Sequence, residues 1–110
     1  MPRETVVVEN TEIRSQLNKM KEKGMRLITV IADIKDGKLE ISYALEKDEE
    51  VTLLRTYFGL EDEVPSVQDI YMNAMLYEME IVDLFGVNIR DVPSGLFLEP
   101  EMRAPFRRDV

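Results

Sequence analysis

Residues 25–46 read MRLITVIADIKDGKLEISYALE, and this stretch predicts the centre of the fold. Met25 to Ile34 is rich in β-branched residues and largely apolar, as a strand inside a sheet is. Asp36-Gly37 supplies the two positive-φ positions of a two-residue hairpin turn. From Lys38 to Glu46 the pattern alternates. Leu39, Ile41, Tyr43 and Leu45 fall on one side, with Glu40, Ser42, Ala44 and Glu46 on the other. That alternation predicts a sheet with one covered face.

On the N-terminal side, TEIRSQLNKMKEK (11–23) places Ile13, Leu17 and Met20 on one helical face. Asn10 or Thr11 is placed to cap its start and Gly24 to stop it, with Lys19, Lys21 and Lys23 near the negative end of the dipole. On the C-terminal side, KDEE (47–50) reads as a charged loop and VTLLRTYF (51–58) as a third strand. GLEDEVP (59–65) is an acidic loop, and Ser66 to Ile70 a short fourth strand. A second helix is expected from Tyr71 to Phe85, stopping at Gly86, and residues 87–110 then run as an extended tail. The sum is one α+β domain over residues 1–110: an N-terminal helix, a mostly antiparallel sheet of three to four strands, and a second long helix in two layers.

Composition narrows the chemistry. The chain has 110 residues, 45% hydrophobic and 33% charged, with a formal charge of -8. That is a globular composition, and such a charge disfavours general binding to nucleic-acid phosphates. It has no cysteine and no histidine. Thiolate and imidazole ligands, and every triad that needs an imidazole, are thereby removed. No apolar run approaches the roughly 20 residues of a membrane helix, and the N-terminus lacks a signal-peptide core, which predicts a soluble chain.

The second helix carries the charged residues of interest in YEMEIVDLFGVNI (77–89). At about 100° per residue, with Asn73 at zero, Glu80 falls near about 340° and Asp83 near about 280°. These share a polar side. Glu78 falls near about 140°, between Ala74 and Ile81 on one flank and Met75 and Val82 on the other, with Phe85 above. It therefore does not converge with Glu80 on an acid/base site, and it requires water, a cation or backbone donors. Arg26, Arg55 and Arg90 are its internal cationic candidates, and a partner chain is an external one. Glu80 with Asp83 makes at best a weak divalent site, the basis of an alternative reading as a carboxylate-dependent metal-binding or hydrolytic domain. The helix is apolar over most of its circumference, which calls for cover on a second side, from the core or from a partner protein.

VPSVQDIYMNAMLYEMEIVDLFGVNI (64–89) resembles the signature region of the thirty-kilodalton (30 kDa) subunit family of respiratory complex I and its hydrogenase relatives. That family shows a V-P-S strand and then a helix ending in E-R-E-x-x-D-x-F-G-I. Val64, Pro65, Ser66, Asp69, Ile70, Glu78, Glu80, Asp83, Phe85 and Gly86 stand at the matching positions. The family's closing P-L-R-K-D is similar to Pro105-Phe106-Arg107-Arg108-Asp109, with Arg103 just before it. Met79 replaces the usual arginine, and the Gly-His-Pro usual after the helix is missing, with Arg90-Asp91-Val92-Pro93 nearby instead. These departures look like the compact version in Ech-type, energy-converting membrane-bound NiFe hydrogenases; a complex I-type dehydrogenase is the alternative parent. The resemblance implies a subunit with no catalytic residue, cofactor or metal of its own. It would sit at the cytoplasmic arm of an assembly that holds a NiFe centre and iron–sulfur clusters and couples electron transfer to ion translocation. Its expected partners are the catalytic large subunit and a neighbouring peripheral-arm subunit, embraced by the arginine-bearing tail, with no nucleic acid and no membrane insertion.

Overall fold

The computed structural model describes residues 3–92. The central hairpin forms as its sequence requires. Strand β2 (Arg26–Lys35) pairs antiparallel with β3 (Lys38–Lys47), and Lys35 faces Lys38 across the turn. Asp36 and Gly37 take φ of 52° and 74°, the left-handed pair that matches the twist of the strands. Strand β4 (Glu50–Gly59) pairs antiparallel with β3. The segment read as a charged loop is tighter than expected. Lys47 faces Glu50, and Asp48 and Glu49 form a second two-residue turn with φ of 53° and 67°.

The fourth strand of the sheet lies elsewhere than expected. Strand β1 (Arg3–Val7) runs parallel to β4, giving the order β1-β4-β3-β2. Ser66 to Ile70 is a turn, not a strand: both Ile70 and Tyr71 donate backbone N–H to the Val67 carbonyl. Val6, Val7 and Val8 suffice for an edge strand, whereas Pro65 and Asp69 favour a turn. A separate two-stranded ladder pairs β5 (Glu63–Val64) in parallel with β6 (Asn88–Ile89), so the expected tail begins as structure. Residues 93–110 lie outside the described residues.

Both helices cover one face of the sheet. A single 3₁₀ turn (Asn10–Glu12) leads into α1 (Ile13–Glu22), whose Ile13 and Leu17 are fully buried. No side chain caps its start; the Asn10 amide instead donates to the Tyr57 carbonyl. At its end Gly24 (φ 85°) closes a Schellman motif, with Gly24 N–H on the Lys21 carbonyl and Met25 N–H on that of Met20. Helix α2 (Ala74–Phe85) begins three residues later than expected and stops at Gly86 (φ 65°). It lies along the start of β2, where Asn73 donates to the Leu27 carbonyl and Tyr77 to that of Ile28. The sheet register shifts there, between Leu27 and Thr29.

Leu39, Ile41, Tyr43 and Leu45 face the helices and join one core with Leu54, Phe58, Ile13, Leu17, Ile81 and Phe85. On the other face Glu40, Ser42 and Ala44 are buried too, which simple alternation did not anticipate. β3 is an inner strand, and its neighbours close over it: Arg55 Nε donates to Ser42 Oγ at 2.9 Å and Tyr57 to Glu40 at 3.0 Å.

Candidate functional site

The loop between β5 and α2 and the middle of α2 form one polar cluster around Glu78. Pro65 restricts the backbone entering the loop, and the Val64 carbonyl accepts from Arg90 N–H, which ties the loop's start to the segment after α2. Glu78 is 2% exposed on the core-facing side of α2. Its Oε1 accepts from Ser66 Oγ at 2.7 Å and from the Gln68 amide at 3.0 Å. Its Oε2 accepts from Val67 N–H at 2.8 Å. Gln68 N–H in turn donates to Ser66 Oγ at 3.3 Å.

The partner of Glu78 is thus a set of neutral donors, not an arginine. Arg26 pairs with Glu46, Arg55 lies against Glu40, and Arg90 pairs with Glu63. Backbone and side-chain donors satisfy a buried carboxylate without the cost of burying a second ion. The nearest arginine acts from outside. Arg14 on α1 clasps Asp69 with both nitrogens, at 2.9 and 2.6 Å, and also donates to the Ser66 carbonyl. That fork holds the Asp69 carboxyl down to about 2, and Asp69, with a smaller part from Glu78, raises Arg14. Lys21 donates to the Ile70 carbonyl, so α1 grips the loop at both ends. Burial pushes the Tyr43 hydroxyl above its ordinary value, and the Glu78 carboxylate adds to the shift.

The other motif residues separate. Phe85 packs in the core and Gly86 forms the left-handed end of α2. Glu80 is exposed, but Asp83 is 0% exposed and engaged. The shared polar side read from the helical wheel is therefore corrected. Angle alone cannot show where along its length a helix is covered, and α2 is covered at Asp83. Arg103, Pro105, Arg107, Arg108 and Asp109 lie outside the described residues. Glu80 and Asp83 do not gather into a metal site, and among the described residues no three Asp or Glu do.

Ser66, Gln68 and Arg14 belong to this cluster in roles that the sequence pattern did not point to. The available signal was Pro65-Ser66, a turn element in front of the helix that carries Glu78. Beside the cluster an open groove of about 650 Å³ runs between Arg14–Asp69 and Arg90–Glu63. Both of its arginines are engaged in those pairs. The Glu78 carboxylate is not offered to a ligand there, because its oxygens are taken by Ser66, Val67 and Gln68. The arrangement is a latch that fixes α2, the loop and α1 to one another.

The model of the family described as respiratory-chain NADH dehydrogenase, 30 Kd subunit, matches residues 6–110. The chain belongs to this family. The latch joins the two parts of the family pattern, Val64-Pro65-Ser66 and the helix bearing Glu78. Among solved structures, a chain of the membrane-bound sulfane sulfur reductase, an archaeal respiratory membrane complex, is similar. It has 26% identity and a TM-score of 0.84 over 99% of this chain and 72% of that one. Among the curated proteins none matches. Among the described residues no helix is long and apolar enough to cross a membrane.

Proposed function

We propose that this 30 Kd-family chain is a non-catalytic structural subunit of a membrane-bound redox assembly, peripheral to the membrane on its cytoplasmic side. The family match over residues 6–110 carries this reading. The latch agrees with it: the most deeply placed acid of the motif has its oxygens occupied by the protein's own donors. In the finer form of the proposal, the parent is an energy-converting NiFe hydrogenase and the chain docks on its catalytic large subunit. The NiFe centre, the iron–sulfur clusters and the coupling of electron transfer to ion translocation then belong to other subunits. Met79 and the missing Gly-His-Pro favour that parent over a complex I-type dehydrogenase. A sulfane sulfur reductase-type parent is a second reading, favoured by the likeness to the archaeal complex.

On this reading Glu78, Phe85 and Gly86 organise the fold. Arg103, Pro105, Arg107, Arg108 and Asp109 belong to a docking tail. Co-expression with a hydrogenase-type large subunit is expected to yield a stable complex. Truncation after Pro100 is expected to weaken that complex more than it lowers the melting temperature of the isolated chain. Equal losses would refute a docking role for the tail.

A further inference from the structure

Helix α2 buries two acids, and they face different ways. Glu78 takes its three donors from the turn that follows Pro65. Asp83, five residues further on, is 0% exposed and engaged. That step is about 7.5 Å along the helix and about 140° around it, so Asp83 faces a different side from the Ser66 turn. Two turns earlier this side is open: Leu76, at almost the same angle, is 61% exposed. Cover therefore begins within the last two turns of α2, close to where the chain leaves it through Gly86. A carboxylate so placed needs a cation or several donors. Arg90, the next basic residue along the chain, is held by Glu63. Arg14 is held by Asp69 and Arg26 by Glu46, and Arg55 lies against Glu40.

Neutral donors already serve Glu78, and the sequence repeats their source. Val64-Pro65-Ser66 supplies Ser66 Oγ and the following backbone N–H. Val92-Pro93-Ser94 spells the same three residues, with Gly95 next. The two copies leave neighbouring strands in one direction: β5 and β6 are parallel, Val64 stands opposite Ile89, and Arg90 N–H donates to the Val64 carbonyl. Strand β6 lies against α2, and Val92 N–H folds back to the Ile89 carbonyl. The second copy thus starts beside the helix that carries Asp83. Three residues beyond Val92 span up to about 10 Å, about the width of a helix. Arg103, the first basic residue of the tail, stands nine residues beyond Ser94. Ordering that additional length of chain costs more conformational entropy.

We propose that Asp83 is the seat of a second latch, made with the root of this chain's own tail. Pro93-Ser94-Gly95 turns onto the end of α2, where Ser94 Oγ and Gly95 N–H donate to the Asp83 carboxylate. Pro93 restricts the backbone entering this turn, as Pro65 does in the first. Gly95 lets the backbone approach the helix closely, with no side chain between them. The latch fixes the point from which residues 96–110 depart. It acts within the isolated chain, so its failure is distinguishable from failure of the proposed function.

The test uses the full isolated chain. Ser94→Ala and Asp83→Asn, which both keep the shape of the site, are each expected to lower the folding equilibrium constant about tenfold in urea unfolding. The double variant is expected to lose clearly less than the product of the two, because one interaction is shared. The Gly95 amide, one of five glycine amides in the chain, is expected to exchange with deuterium about tenfold or more slowly than in Asp83→Asn. Truncation after Val92 is expected to lower the melting temperature, and truncation after Pro100 to leave it near that of the full chain. Independent losses from Ser94→Ala and Asp83→Asn overturn the proposal, as does a Gly95 amide that exchanges freely in the native chain. A chain ending at Val92 that is as stable as the full one overturns it too. Coupling of Asp83→Asn to Arg103→Ala in place of Ser94→Ala also overturns it, by assigning the carboxylate a cation.

Discussion

Replacing Glu78 probes the latch most sharply, because two substitutions separate the effect of its charge from that of its acceptors. In the native chain three donors, Ser66 Oγ, Val67 N–H and the Gln68 amide, converge on its two oxygens. Hydrogen bonds to a charged group contribute about 1.5–3 kcal/mol each, against about 0.5–1.5 kcal/mol for neutral ones. In Glu78→Gln the amide oxygen can keep Val67 N–H, which cannot turn away. The Ser66 hydroxyl can reverse to accept, and the Gln68 amide can rotate. The cost is the weakening of three bonds less the relief of no longer burying a charge, a net of about 1–3 kcal/mol. In Glu78→Leu nothing accepts from Val67, whose residue is fully buried. Its stranded N–H and the two lost side-chain bonds together cost about 3–5 kcal/mol. That is a large part of the roughly 5–15 kcal/mol typical of a domain. Urea unfolding of the isolated chain, followed by circular dichroism, measures both. The order wild type, Gln, Leu is expected at constant m-value. Stability within about 0.5 kcal/mol of wild type for both variants would refute the latch.

Asp69 gives a pH signature. Its folded value, about 2, lies below its ordinary 3.8, so unfolding takes up a proton between them. The stability it contributes is present above about pH 4 and is lost as the pH falls through about 2. Asp69→Asn is expected to flatten the stability-pH curve in that window, seen by thermal melts from pH 2 to 6. The turns give an opposed pair. Gly37→Ala, with open space around the added carbon but φ of 74°, is expected to lose about 1 kcal/mol. Glu49→Gly, at φ of 67°, is expected to gain about 0.5–1 kcal/mol, both read by urea unfolding. Thr56 is 0% exposed, and its hydroxyl has no hydrogen-bond partner. Thr56→Val is therefore expected to stabilise by about 1 kcal/mol in the same assay.

What was legible in the sequence follows the range of each interaction. The Asp-Gly turn, the alternation of Leu39 to Leu45 and the glycines that end both helices are local devices, and all three stand in the structure. The wheel also placed Glu78 correctly, within the buried side of α2. Pairing between distant segments was not legible. Nothing within Arg3–Val7 announces that it will lie parallel to β4, since an edge strand needs little apolar patterning of its own. Glu78's partners sit ten to twelve residues back in a loop, and one of them is a backbone N–H that no side-chain pattern can advertise. Asp83 shows the limit of angular reasoning. Its direction on the wheel is that of exposed Leu76, yet it is buried because cover varies along a helix as well as around it.

On the proposed function this chain supplies structure and contact, and the chemistry belongs to another subunit. Native mass spectrometry of the tagged chain co-expressed with a hydrogenase-type large subunit tests that division of labour directly. The expected result is a one-to-one complex, with the nickel, iron and hydrogen-dependent activity all retained by the large subunit when the chains are separated. A chain that stays monomeric beside that subunit, or that turns over substrate alone, would contradict it.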